Sequence, residues 1–147
     1  MAGVRVASGH RIIDPMLALG DCTKQHRILM AGSNSIAMMI ELQRRGYART
    51  ASSGNCGCPA GQYDIALIDW RGRTLHDLET TLDWLRKFLS PAGVLVVWVD
   101  AQKPAANQSL RMLLETRRYV IQQDSIHECG RALVARRLQP NPLKKAA

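Results

Sequence analysis

The sequence has no long apolar stretch. Its longest apolar run, residues 94–99, is far too short to cross a lipid bilayer. The first 20 residues contain scattered polar groups and no continuous apolar segment, which is not the pattern of a secretory signal. These two absences predict a cytoplasmic protein that makes no contact with a membrane.

Cysteine is scarce, with four in 147 residues. In a chain of this length without an export signal, four thiols predict a reducing compartment rather than a disulfide framework. Zinc would accept the thiolates of Cys56, Cys58 and Cys129 and the imidazole of His127 as ligands. However, Cys56 and Cys58 are separated by one residue, where zinc sites usually have two to four. The spacing therefore predicts ordinary thiols and no metal.

Several motifs that carry catalysis are missing as well. The sequence contains no serine in a nucleophile elbow, no phosphate-binding glycine-lysine loop and no His-Glu metal-binding helix. If the chain has an enzymatic activity, its residues must come from another arrangement.

Acidic residues are few beside basic ones, at 12 Asp plus Glu against 20 Lys plus Arg, and the net charge is +8. A basic surface favours anionic partners such as nucleic acid through counterion release. The seven aromatic residues do not interleave with the dispersed cations, so there is no platform on which bases would stack. Two interpretations stay open: the arginines lie at solvated helix ends without a partner, or they contact phosphates. If they contact phosphates, the binding of nucleic acid is predicted to be non-specific and salt-sensitive.

The length and the 46% hydrophobic content suit one domain with a substantial core. Residues 1–24 are predicted to be an N-terminal arm, in which Asp14 and Pro15 begin a helical turn. The domain itself is predicted over residues 25–138, and residues 139–147 are predicted to be a flexible basic tail.

Short apolar runs alternate with amphipathic segments along the domain. The predicted strands are 27–31, 48–51, 65–68, 94–99, 120–126 and 132–137, and the predicted helices are 36–45, 74–89 and 107–118. Residues 52–62 are predicted to be a loop. This pattern predicts a three-layer α/β fold with a mainly parallel sheet, closed by an antiparallel hairpin. Ile28, Leu67, Val96 and Leu78 are expected to share one core.

Three segments carry a resemblance to a known family. Residues 63–69, residues 85–97 with their Ser-Pro-Ala-Gly turn before a buried strand, and the closing strand 132–137 match its scaffold. Over about residues 25–138 the sequence resembles the Rossmann-like, class I S-adenosylmethionine-dependent methyltransferases. The resemblance implies S-adenosylmethionine as a possible cofactor, and its contacts would come from Gly32, Ser33, Asn34 and Ser52.

The sequence departs from this family where the cofactor would bind. Met30 stands where the family has an acidic residue, and Asn34 and Ile36 stand where it has glycines. Residues 49–53, at the end of the second strand, lack the carboxylate that holds the ribose hydroxyls. Residues 46–64 are too few for the helix and third strand that the family has there. These departures predict an eroded cofactor site, and they leave open whether the domain is catalytic.

Parallel sheets bind ligands at the carboxyl ends of their strands, and Asp69, Trp70 and Asp100 follow two predicted strands. Asp69 is the candidate catalytic residue, because it could accept a proton from a substrate. Trp70 and Asp100 are candidate substrate contacts. In the alternative interpretation, Asp69 caps the loop at residues 71–73 and Trp70 covers the core.

A second resemblance, to receiver domains of two-component signalling, would make Asp69 a phosphate acceptor. Receivers need an acidic pair after their first strand, where this chain has Gly32, Ser33 and Asn34. The sequence therefore leaves two functions open. One is a divergent methyltransferase acting on a small molecule; the other is a receiver-like or other regulatory module without enzymatic activity that binds a small molecule or a protein.

Overall fold

A computed structural model of the protein describes residues 8–53, 62–101, 103–128 and 130–138. These residues form one six-stranded sheet with helices on both faces. The elements in chain order are α1 (Ser8–Leu19), β1 (Ile28–Gly32), α2 (Ser35–Arg44), β2 (Thr50–Ser52), β3 (Tyr63–Asp69), α3 (Leu75–Leu85), β4 (Leu89–Val99), α4 (Pro104–Thr116), β5 (Tyr119–His127) and β6 (Gly130–Arg137).

The strand order is β2-β1-β3-β4-β6-β5. The first four strands are parallel, and β6 runs antiparallel to both β4 and β5. The predicted fold class is therefore confirmed. A flavodoxin-like receiver sheet has its strands in the order 2-1-3-4-5, so the antiparallel strand between β4 and β5 separates this fold from a receiver.

Local sequence signals explain where several elements begin. Thr74 has an extended backbone before α3, and its Oγ1 accepts a hydrogen bond from the Asp77 N–H at 3.2 Å. Helix α4 begins at Pro104, a position that needs no intrahelical donor. Strand β2 begins two residues later than predicted, because the Thr50 hydroxyl donates to the Tyr47 carbonyl at 2.8 Å and extends the turn after α2.

The core has two halves, one on each face of the sheet. Ile28, Leu67 and Val96 pack with α1 and α2, whereas Leu78 packs with α4 on the opposite face. The prediction that all four share one core is therefore wrong for Leu78. Within the sheet, the connection from β1 to β2 runs towards one edge, and the connection from β3 to β4 runs towards the other edge. Because both connections are right-handed crossovers, their helices α2 and α3 lie on opposite faces of the sheet.

The N-terminal segment is more extensively helical than the predicted turn at Asp14. Helix α1 covers Ser8–Leu19 with Pro15 inside it, and Ile12, Ile13 and Met16 are essentially inaccessible to solvent. Proline removes one backbone hydrogen bond from a helix, but burying three large side chains offsets that loss, at roughly 1.5–3 kcal/mol each. The buried side chains of α1 therefore belong to the core on this face of the sheet.

Some predictions fall outside the described residues. They concern Cys56 and Cys58, most of the loop 52–62, Cys129 and the tail 139–147. Among the residues that are described, no helix is long and apolar enough to cross a membrane.

Cys22 lies between α1 and β1, and the reactivity of its thiol depends on how deeply it is buried there. Burial, reinforced by the carboxylate of Asp21, raises the pKa of its thiol to about 12. Because the thiolate is the reactive form, we expect Cys22 to react with a disulfide reagent at pH 8 at least about a hundredfold more slowly in the folded than in the unfolded protein. Site-resolved mass spectrometry after timed labelling measures this rate. Equal labelling in both states would contradict the burial of the thiol.

Candidate functional site

The carboxyl ends of β1 and β3 lie in direct contact. Gly32 ends β1 with φ +86, and the Ser33 N–H donates to the Asp69 carbonyl at 2.7 Å. A Cβ on Gly32 would lie 2.2 Å from that carbonyl oxygen. The absence of a side chain at Gly32 therefore allows the ends of the two strands to approach closely, and this structural role does not depend on a ligand.

Asp69 is buried and paired with an arginine two residues further on. Its Oδ1 and Oδ2 accept hydrogen bonds from Arg71 Nε and Nη2, both at 2.9 Å, and Oδ1 lies 3.3 Å from the Arg71 backbone N–H. The carboxylate is completely inaccessible to solvent, and the arginine side chain is only 14% exposed. Asp69 thus has the loop-capping arrangement, with both of its oxygens occupied by charge-assisted bonds.

Hydrogen bonds join the loop after β3 to the residues that follow β1 and β4. Ser33 Oγ donates to the Arg71 carbonyl at 3.1 Å, and the Gly72 N–H donates to Asp100 Oδ2 at 2.6 Å. An open cavity of about 300 Å³ lies above these contacts. Its lining residues are Ser33, Asn34, Asp69, Arg71, Gly72 and Asp100. Four of the predicted site residues are therefore brought together here, while Arg71 and Gly72 were not predicted as part of the site.

A second cavity, of about 310 Å³, lies on the α3 side of the same edge. Its lining residues are Gly32, Ser53, Arg73, Thr80, Thr81 and Trp84. Sequence reasoning missed all of these except Gly32. One signal was available for Ser53, because side chains alternate along a strand and the residue after Ser52 faces the other side of the sheet.

Ser52 and Asn34 differ in their position at this edge, since Asn34 lines the first cavity and Ser52 lines neither. Ser52 is fully buried on the α2 side, and within the described part of the chain its hydroxyl has no hydrogen-bond partner. Asn34 precedes α2 in the left-handed region, at φ 57, and its side chain makes no capping hydrogen bond to the helix. Both residues lie at the predicted edge, but Ser52 does not line either cavity there.

Trp70 covers the core. It is 2% exposed, and its indole N–H donates to the Thr74 carbonyl at 2.7 Å. The guanidinium of Arg73 lies over the ring, 4.7 Å from its centroid. The tryptophan therefore supports the loop after β3 and presents little surface to a substrate.

Side chains that bind metals stay apart in the described structure. In residues 8–53, 62–101, 103–128 and 130–138, no three His, Cys, Asp or Glu side chains converge in a way that would hold a metal ion. His127, the described member of the hypothetical zinc set, packs on Trp98 with ring centroids 4.8 Å apart and lies 2.7 Å from Ser125 Oγ.

No family model matches the sequence, and no curated protein matches it either. The structure is similar to that of a Burkholderia thailandensis 1,6-didemethyltoxoflavin-N1-methyltransferase with bound S-adenosylhomocysteine. That match has a TM-score of 0.60 and 14% identity, and it covers 90% of this chain and 79% of the other. A SAM-dependent methyltransferase from Aquifex aeolicus matches with a TM-score of 0.55 and 10% identity, over 88% of this chain and 89% of that one.

A third structure is the geranyl diphosphate C-methyltransferase from Streptomyces coelicolor, solved with S-adenosylhomocysteine. It matches with a TM-score of 0.60 and 9% identity, over 88% of this chain and 76% of that one. At these identities the likeness is one of fold. The chain has the Rossmann-like fold of the class I S-adenosylmethionine-dependent methyltransferases.

Proposed function

We propose that this domain has kept the methyltransferase fold without the methyl-transfer reaction, and that it acts as a binding module for a small molecule or a protein. One observation carries the proposal. Asp69, the candidate catalytic carboxylate, is fully buried and both of its oxygens accept hydrogen bonds from Arg71 at 2.9 Å. A general base must reach the proton that it removes, and Asp69 has no exposed oxygen with which to do so.

Releasing Asp69 from Arg71 would be costly. Breaking a buried ion pair leaves a charge without compensation, which costs about 3–5 kcal/mol. Ser33 Oγ and Asp100 also hold the backbone of the loop that carries Arg71. A substrate would therefore have to supply this free energy before any proton transfer, which disfavours catalysis by Asp69.

The residues at the carboxyl edge do not fit S-adenosylmethionine well. At the end of β2 the chain offers the buried Ser52 and the partly exposed Ser53, and neither is a carboxylate. A hydrogen bond to a charged group contributes about 1.5–3 kcal/mol, so its loss lowers affinity about tenfold or more. Asn34, at φ 57, also places a side chain where the family has a glycine.

The volumes of the two cavities limit the size of a ligand that can bind at this edge. Each has a volume of about 300 Å³, at the lower end of the range for ligand pockets. They lie on either side of the turn that begins at Gly32. We expect any contact with an S-adenosyl compound to come from Gly32, Ser33 and Asn34, as the sequence predicts, and from Ser53 in place of the buried Ser52.

Calorimetry with S-adenosylmethionine and S-adenosylhomocysteine tests the proposal. We expect no heat of binding, or a Kd weaker than about 100 μM, because each lost contact weakens binding by about tenfold. Ser53→Asp, which places a carboxylate at the end of β2, should tighten any binding about tenfold, and Ser53→Asn is the uncharged control of equal size. Micromolar binding of either compound to the unaltered protein would overturn the proposal, and Asp69→Asn would then be the first variant to assay for methyl transfer.

A further inference from the structure

Six basic residues without an ion-pair partner among the described residues lie at the edge opposite the two cavities, where the parallel strands begin. We call this surface the basic edge. Its residues are Arg27, Arg49, Lys87, Arg118, Arg136 and Arg137. The seven residues of β3 separate it from Asp69 by roughly 20 Å, so a partner bound here lies far from the candidate cofactor site.

Backbone contacts place these cations along one line across the sheet. The Ile28 N–H donates to the Arg49 carbonyl, and the Asp64 N–H donates to the Arg27 carbonyl, both at 2.9 Å. On the other side of β3, the Tyr63 N–H donates to the Phe88 carbonyl, which sets Lys87 beside the start of β4.

The line continues to the far edge of the sheet. Arg137 pairs with Tyr119 across β5 and β6, and the Leu138 N–H donates to the Arg118 carbonyl at 2.7 Å. Burial raises the pKa of the Tyr119 phenol, and the guanidinium groups of Arg137 and Arg86 oppose that rise.

The basic edge differs from the rest of the protein in how its arginines are partnered. Elsewhere the guanidinium groups of several arginines bind carboxylates, namely Arg45 with Glu41, Arg71 with Asp69, Arg111 and Arg131 with Asp124, and Arg117 with Glu79 and Asp83. At the basic edge Arg27 donates to the neutral Gln62 Oε1, and Arg136 and Arg137 donate to the carbonyls of Ala92 and Leu89.

Arg49, Lys87 and Arg118 are exposed. Among the described residues, no carboxylate forms an ion pair with any of the six cationic side chains of the basic edge, although Asp64 Oδ2 accepts a hydrogen bond from the Arg27 backbone N–H at 2.8 Å. Two carboxylates interrupt the line near its middle, since Asp21 and Asp64 line a cavity of about 260 Å³ together with Arg136. The positive charge is therefore divided between the β1–β2 end and the β4–β5 end.

We propose that the basic edge binds the phosphate backbone of duplex nucleic acid. Six strands spaced about 4.8 Å apart give a line roughly 24 Å long, which matches about seven base pairs at 3.4 Å each. Arginine forms bidentate hydrogen bonds with phosphate, and the edge has more arginine than lysine. Single-stranded binding would need exposed aromatic rings, but Tyr63 and Tyr119, which begin β3 and β5, are buried, and Phe88 beside Lys87 is partly buried against Trp84.

This inference is independent of the proposed loss of methyl transfer, because the two surfaces lie at opposite edges. Its test is fluorescence anisotropy with a labelled 20-base-pair duplex of mixed sequence, titrated with the full chain at several salt concentrations. The test variant is Arg49→Gln with Lys87→Gln. The matched control is Arg111→Gln with Lys103→Gln, which removes the same two residue types outside the basic edge, within and before α4, and leaves Asp124 its ion pair with Arg131. Thermal melting shows that both variants are folded.

We expect the unaltered protein to bind the duplex, with affinity that falls steeply as salt rises. Removing two phosphate contacts should lower the slope of log K against log salt by about 1.8, which corresponds to roughly 60-fold weaker binding at 0.1 M salt. The control should change neither value appreciably. Three outcomes would overturn the proposal, namely no binding at 50 mM salt, an equal loss in the control, or binding to phosphatidylserine vesicles but not to the duplex.

Discussion

Gly32→Ala is expected to destabilise the domain by about 3 kcal/mol or more. The new Cβ would lie 2.2 Å from the Asp69 carbonyl oxygen and 2.9 Å from its carbon, both of which are backbone atoms of the adjacent strand. Relieving this overlap requires β1 and β3 to separate, which weakens the hydrogen-bonded contact between these two neighbouring strands. The positive φ of +86 adds strain for any residue with a side chain.

Gly72→Ala provides the matched control. Gly72 also has a positive φ, of +74, but a Cβ added there would have no neighbouring atom within 4 Å. Its substitution should therefore cost only the conformational penalty of about 1–2 kcal/mol. Urea unfolding of both variants measures the difference. Equal destabilisation would show that the close approach of Gly32 to Asp69 does not constrain the fold.

Val96→Asp is expected to cost several kcal/mol and to leave little folded protein at room temperature. Val96 is completely buried in β4, between Leu67 of β3 and Val134 of β6, and it packs against the face covered by α1 and α2. A carboxylate there would have no cationic partner among the residues of that cluster, and burying an unpaired charge is strongly unfavourable.

Val120→Asp is the corresponding control, because it makes the same chemical change in the outermost strand, β5. Val120 is 48% exposed, so the carboxylate remains hydrated and the expected cost is about 1 kcal/mol, from strand propensity. Circular dichroism and thermal unfolding compare the two variants. If Val96→Asp melted like the unaltered protein, β4 could not be the centre of the sheet.

Local sequence patterns were sufficient for most of the secondary structure. The run at β3 and the second half of β4 consist of buried apolar residues, and Thr74 with Asp77 marks the start of α3. The helix predicted over 74–89 ends at Leu85, and β4 begins at Leu89, before the predicted turn at residues 90–93. The same patterns failed at α1, where Asp14 and Pro15 resemble a helix start. The structure places Pro15 inside the helix because the burial of Ile12 and Ile13, which precede it, determines where the helix lies.

The sequence predicted which residues lie together at the candidate site, but it did not predict the ion pair that Asp69 forms there. The rule that ligands bind at the carboxyl ends of parallel strands identified Gly32, Asp69 and Asp100 correctly as neighbours. Nothing in the sequence distinguishes Arg71, which neutralises Asp69, from Arg73, which lies over Trp70. Their side chains diverge because the turn at Gly72 reverses the chain between them.

The sequence by itself determined the fold class, the order of most elements and the edge at which the candidate site residues meet, because each depends on patterns within about 15 residues of chain. The tertiary structure alone decided three things. It placed Leu78 on the opposite face from Val96, it paired Asp69 with Arg71, and it collected Arg27, Arg49 and Arg137 at one edge, where none of their side chains forms an ion pair with a described carboxylate. These features depend on the strand order β2-β1-β3-β4-β6-β5 and its right-handed crossovers, which bring together residues far apart in the chain.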